Sequence, residues 1–152
     1  MGTKLVKEAS KFQENTKEIV IFCICLACIF LFLSSAYSKL ADYNTFVKGL
    51  MRVSLIGSYA GLIGLLVPLV EITVSILLIV PKTIKIGLLG FIGVMSVFTI
   101  YISSMLLWAE KLPCHCNLII NSFTWGQHIW FNLAFMGIAA FALRISKKNV
   151  KS

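Results

Sequence analysis

The chain has 152 residues, of which 59% are apolar and only 13% charged, and its mean hydropathy is +0.92. Soluble domains carry about 25% charged residues, so this composition excludes an ordinary water-soluble globular unit, and the length leaves no room for one beside a membrane domain. The net charge of +8 does not mark a nucleic-acid binder, because the basic residues gather at the ends of apolar segments, where they orient helices in a bilayer.

A hydrocarbon core of about 30 Å needs roughly 20 mainly apolar residues per helix, and four such segments follow one another along the chain. The first, residues 19–37, comes after Lys4, Lys7, Lys11 and Lys17. A cleaved signal peptide has a shorter charged start and a small-x-small cleavage site, whereas this run continues through Phe30, Phe32 and Tyr37 into Lys39, so a retained helix is expected. Cys23, Cys25 and Cys28 lie inside it. Their spacing includes a C-x-x-C, but among Ile, Leu and Phe a cysteine packs as a small hydrophobe, and no thiolate-stabilising helix start is at hand. Cys28 is the one expected nearest mid-membrane.

The second segment, residues 61–80, has a less apolar approach over 46–59 and carries Glu71 near its middle. A charge at that depth costs about 2.5 to 3.5 kcal/mol on insertion scales, so Glu71 is expected to be protonated or paired with Lys39, Arg52 or His128. Pro68 removes one backbone hydrogen bond just before the carboxylate and is expected to open a polar pocket there. Such a glutamate serves as a proton site, as an orienting group for a bound quinone, or as a hydrogen bond that joins helices. Gly57-x-x-x-Gly61 permits close helix approach and carries no functional meaning by itself.

The third segment, residues 87–108, leads into Pro113-Cys114-His115-Cys116-Asn117. The fourth is short, residues 129–143, and is preceded by Trp125, which with Trp130 fits the aromatic belt at a membrane surface. His128 and Asn132 are four apart and so share a helix face, where they are candidates for binding a quinone carbonyl or for knitting helices together. The whole reads as an all-α integral membrane four-helix bundle. Residues 1–18 form an amino-terminal tail, 19–143 the transmembrane domain, and 144–152 a basic carboxyl-terminal tail.

Of the fourteen basic residues, ten lie in the two tails and the loop between the second and third segments, where Lys82 and Lys85 sit; Lys39, Lys48, Arg52 and Lys111 lie on the other side. The positive-inside rule then places both termini in the cytoplasm, in a multi-pass protein of the inner membrane, with residues 38–59 and 110–128 facing outward. Cys114 and Cys116 therefore face an oxidising compartment. At this spacing they close only a small, strained ring, which is more easily reduced than a structural disulfide, and a protonated His115 between them favours thiolate formation. Redox exchange is the leading reading. A permanent disulfide shaping the loop, and a soft-metal site formed with His128, stand beside it.

Three pieces together resemble the DoxX-like superfamily, and most closely its MauE-type, redox-associated branch. They are Phe32-Leu33-Ser34-Ser35-Ala36-Tyr37-Ser38-Lys39-Leu40 at the end of the first helix, Val67-Pro68-Leu69-Val70-Glu71 in the second, and Cys114-His115-Cys116 after the third. The resemblance covers residues 19–143. It departs from the family's pattern at Ala36, where a glycine is usual, and at Asn117-Leu118, where a glycine-bearing turn is usual. It implies a four-helix membrane bundle that takes part in making or isomerising disulfides of exported proteins, in partnership with a thioredoxin-like periplasmic protein. Cys114 and Cys116 then become the redox pair, and Glu71 and Lys39 the polar pair within the bundle. The expected activity is thiol–disulfide oxidoreduction, with a quinone near Glu71, His128, Asn132 and Lys39 as the electron carrier. A non-catalytic subunit packed in a larger membrane complex is the alternative from another class.

Overall fold

The computed structural model describes residues 2–51, 57–108 and 125–148. Among these residues there are five α-helices: α1 (Gly2–Ala41), α2 (Tyr43–Met51), α3 (Ala60–Ile79), α4 (Ile84–Trp108) and α5 (Trp125–Lys148), with a single 3-10 turn at Gly57–Tyr59 before α3. Four stretches are long and apolar enough to cross a membrane: Gln13–Ala41, Gly57–Ile79, Ile84–Ser104 and Gly126–Ser146. They correspond to the four segments expected from the sequence. The differences lie at the ends: α1 continues back through the basic tail to Gly2, and the fourth helix extends past the expected 129–143 in both directions. Polar residues at helix ends lower the hydropathy of a window without breaking the backbone hydrogen-bond ladder, so composition shortens what the helix continues.

The surface fits a bilayer. Phe22, Phe30, Leu62, Ile100 and Trp130 are each more than 60% exposed and lie on four different helices, so a continuous apolar belt surrounds the bundle. In water a patch of that extent drives association; in lipid it is the ordinary outer face of a membrane helix.

α1 packs on α3 and α5, α4 packs on the same two helices, and α1 and α4 meet across the diagonal. The connection from α3 to α4 is a short turn over residues 80–83, where the Thr83 hydroxyl donates to the Leu77 carbonyl at 2.8 Å and helps to end α3. The amino-terminal half of α1, this turn and the last turn of α5 share one end of the bundle, since Glu18, Lys82 and Ser146 line a single groove there. The other, distal end carries α2, the end of α4 and the start of α5.

α3 shows how sequence sets packing. Its buried residues are Ala60, Gly64, Pro68, Glu71, Val74, Ser75 and Leu78, spaced three and four apart, which places them on one stripe of the helix. The lower part of that stripe meets Phe32, Cys28 and Cys25 of α1 and Leu88, Phe91 and Met95 of α4 in the main core. There the rings of Phe32 and Phe91 lie 4.4 Å apart between centroids. The upper part meets α2, whose Val47 and Leu50 are buried in a second, smaller cluster with Ala60.

α2, which carries the start of the approach to the second membrane helix, lies against the first turns of α3. The Tyr43 hydroxyl donates to the Gly61 carbonyl at 2.8 Å, and a Cβ built on Gly64 would stand 2.7 Å from Val47 Cγ2. Gly64 thus permits the close approach of α2 to α3. Gly57 and Gly61 also face this neighbour, Met51 and Tyr43 respectively, rather than another membrane-spanning helix. Small residues in membrane helices admit a close partner without saying which one, and here the partner is the short helix.

Candidate functional site

The buried polar residues of the described core are Lys39, Glu71, Ser75 and Asn132. Three of them converge on one cavity of about 270 Å³ at the distal end of the bundle, lined by residues of all five helices. α1 contributes Phe32, Ser35 and Lys39; α2 contributes Phe46 and Leu50; α3 contributes Val67 and Glu71; α4 contributes Phe98 and Tyr101; α5 contributes His128, Phe131 and Asn132.

Glu71 stands eleven residues after the first residue of α3, about 16 Å along the axis, which is the depth of a bilayer's middle. Its side chain is fully buried, and Lys39 of α1 pairs with it, Nζ to Oε1, at 2.5 Å. Ser35 closes the arrangement: its hydroxyl donates to Glu71 Oε1 at 2.9 Å and accepts from Lys39 Nζ at 2.7 Å. Ser35 and Lys39 are one helical turn apart and so reach the same carboxylate from one face of α1. The ammonium also lies 4.3 Å from the centre of the Phe98 ring and 5.7 Å from that of Phe46, close enough for both ring faces to attract it.

This arrangement answers the question that a glutamate in the second membrane segment raises. Of the three partners expected, Lys39 is the one at the carboxylate; Arg52 falls outside the described residues. A buried charge is tolerated when it is paired and hydrogen-bonded, and the Lys39–Ser35–Glu71 ring supplies both. One loose end remains: Glu71 Oε2 is buried and has no hydrogen-bond partner among the described residues. Pro68, three residues before Glu71, is buried on the same stripe of α3.

Asn132 is buried too, and its Nδ2 donates to Thr99 Oγ1 at 3.3 Å; the Thr99 hydroxyl in turn donates to the Met95 carbonyl at 2.7 Å. His128, four residues earlier, is half-buried on the same face of α5 and lines the same cavity. The structure therefore brings together Lys39, Glu71, His128 and Asn132. Cys114, His115 and Cys116 lie outside the described residues, and so do the thiol members of the metal set proposed with His128. By chain order they fall between α4 and α5, and the described residues near those two helix ends, Tyr101, Ile102 and His128, line the cavity.

Sequence reasoning missed Ser35 as the bridge, and Phe46 and Phe98 as the rings around the ammonium. The i, i+4 spacing of Ser35 and Lys39 was a usable signal. For Phe98 and for Thr99, partner of Asn132, there was none, because any α4 face was available until the bundle's order was known. Cys25 and Cys28 are buried in the main core as expected of packing residues, whereas Cys23 is exposed on the apolar outer face.

The fold and site define a polytopic membrane protein in which short helical packing builds an apolar cavity around one buried lysine–glutamate pair. The chain matches the family described as Methylamine utilisation protein MauE over residues 17–145 and belongs to that family. No curated protein and no solved structure matches it.

Proposed function

We propose that this protein is a thiol–disulfide redox protein of the inner membrane, with both termini in the cytoplasm, that acts through Cys114 and Cys116 on exported proteins or on a thioredoxin-like periplasmic partner. The observation that carries the reading is the position of the cavity. An apolar chamber with a charged pair at its base lies at the end of the bundle to which the Cys114-His115-Cys116 segment is tethered. Membership in the MauE family, described by methylamine utilisation, supports a part in the redox maturation of an exported enzyme.

Oxidation of the pair releases two electrons and two protons as one disulfide forms; transfer of that disulfide to a client dithiol returns both to Cys114 and Cys116. A protonated His115 between the cysteines stabilises the thiolate that leaves when the client thiolate attacks the disulfide. A net cycle needs an acceptor, and a quinone supplies that chemistry, taking up two electrons and two protons to become a hydroquinone.

The residues present fit a quinone head group. The walls offer the aromatic faces of Phe32, Phe98 and Phe131, and the polar edge offers Lys39, Asn132 and His128. Apolar walls with a few convergent polar groups are the usual make-up of a small-molecule site. A chamber of about 270 Å³ takes a ring system and leaves an isoprenoid tail to the lipid. A quinone held there would meet the positive charge of the Lys39 ammonium at a ring oxygen, among apolar walls that strengthen the attraction. Glu71 orients that ammonium, and its open Oε2 is a position where a proton can be held.

The test uses the purified protein with its cysteines reduced. A short-chain benzoquinone is added, and the loss of free thiols at Cys114 and Cys116 is followed by alkylation and mass spectrometry. The expected result is oxidation of the pair that stops in Cys114→Ser and Cys116→Ser and slows at least tenfold in Val67→Phe, which fills the cavity and keeps both members of the charged pair. Equal rates in the parent and in Val67→Phe would remove the cavity from the mechanism. A parent protein whose pair cannot be reduced without denaturation would make the disulfide structural.

A further inference from the structure

A second hollow lies at the opposite end of the bundle, a groove of about 750 Å³ between α1, the α3–α4 turn and the last turn of α5. Its two halves differ in chemistry. Deeper along the membrane, its walls include Phe22, Leu26 and Ile79, which are 63%, 49% and 62% exposed and continue the apolar belt that faces lipid. At the rim stand Glu18 on α1, Lys82 in the turn and Lys85 in the first turn of α4. The ion pair found among the described residues is Lys39–Glu71, so neither rim lysine is held by a carboxylate there. Lys85 is nevertheless half-buried. A pair of cations beside a hydrocarbon-facing groove calls for an anion that brings its own apolar body.

The arrangement of signs narrows the choice. Two lysines and one glutamate share the rim, so a lone phosphate satisfies the lysines and leaves Glu18 facing negative charge. A headgroup with a phosphate and a primary ammonium satisfies all three side chains. The apolar half then receives an acyl chain.

We propose that this groove is a specific site for one phospholipid of the ethanolamine class, its phosphate at Lys82 and Lys85, its ammonium at Glu18, and an acyl chain along Phe22, Leu26 and Ile79. The site lies at the far end from the cavity and does not depend on the redox reading. Its effect is to tie α1 to the α3–α4 turn and to α5 at the membrane surface, where protein contacts alone leave a hollow.

The experiment is native mass spectrometry of the full chain, released from detergent after exposure to equimolar phosphatidylethanolamine, phosphatidylglycerol and phosphatidylcholine with matched acyl chains. The phosphatidylcholine headgroup keeps the phosphate and the positive charge but has no N–H to donate. The expected result is retention of phosphatidylethanolamine over phosphatidylcholine by about tenfold, the scale of one charge-assisted hydrogen bond. Glu18→Gln should erase that preference, and Lys82→Gln with Lys85→Gln should release all three lipids. Glu18 and Lys82 are exposed and Lys85 is half-buried at the rim, so these variants fold, and thermal melting of each verifies it. Equal retention of the ethanolamine and choline lipids, stronger retention of phosphatidylglycerol, or indifference to the lysine substitutions would each overturn the proposal.

Discussion

Replacing Lys39 by Met tests the buried ion pair with a magnitude that follows from the geometry. The substitution keeps the length and apolar stem of the side chain but removes the 2.5 Å contact to Glu71, the 2.7 Å hydrogen bond to Ser35, and the ammonium over Phe98. Glu71, fully buried, is left with the Ser35 hydroxyl alone. Stripping one partner from a buried pair is worth about 3 to 5 kcal/mol, against about 0 to 1 kcal/mol for a pair on a wet surface. For a chain of this size each kcal/mol moves the melting temperature by about 2 to 4 °C, so Lys39→Met should melt roughly 10 °C below the parent. Glu71→Met alone should fall by a similar amount, because it leaves the ammonium uncompensated. The double variant Lys39→Met/Glu71→Met removes both charges at nearly constant volume and should lie closer to the parent than either single variant. The assay is thermal denaturation in detergent micelles followed by tryptophan fluorescence. Single variants within about 2 °C of the parent, or a double variant as unstable as the sum of the singles, would refute the reasoning, since the pair would then be neither buried nor coupled.

Other substitutions separate packing from chemistry. Gly64→Leu should destabilise the protein by about 1 to 3 kcal/mol, because its Cβ alone meets Val47 Cγ2 at 2.7 Å, and Val47→Ala on the same chain should recover part of the loss; melting temperatures of the three variants decide it. Asn132→Leu removes the 3.3 Å hydrogen bond to Thr99 between α4 and α5 and should lower stability by about 0.6 kcal/mol, the average for such bonds in membranes, and by no more than about 1.7 kcal/mol, again read by melting. Cys28→Ala, deep in the main core, should reduce thermal stability while leaving the rate of quinone-driven thiol loss at Cys114 and Cys116 unchanged; a changed rate would bring the first helix's cysteines into the redox path.

Much of this fold is legible in the sequence because one physical requirement dominates it. In hydrocarbon every backbone polar group must be satisfied within its own segment, so long apolar runs can only be helices. Glu71 stands out for the same reason, since the bilayer makes a mid-helix carboxylate costly enough to demand a partner. Which partner it takes is a tertiary fact. Lys39 is selected because α1 and α3 are neighbours, and Ser35 is drawn in because it lies one turn before Lys39. The short helix α2 is harder to read, since residues 43–51 are too few to span and too mixed to stand out. Only its fit over Gly61 and Gly64 shows that it closes the cavity from one side. The ends of α1 and α5 extend beyond the apolar windows because hydropathy measures the solvent a helix meets rather than where its hydrogen bonds stop.

The proposed redox cycle requires Cys114 and Cys116 to form an accessible, labile pair on the outward side of the membrane. It is tested most directly by labelling intact spheroplasts with a membrane-impermeant maleimide, with and without mild reductant, in the parent chain and in Cys114→Ser and Cys116→Ser. The expected result is labelling from outside that appears only after gentle reduction and that is halved in each single variant once reduced. Labelling confined to the cytoplasmic side, or thiols exposed only under denaturing reduction, would contradict it.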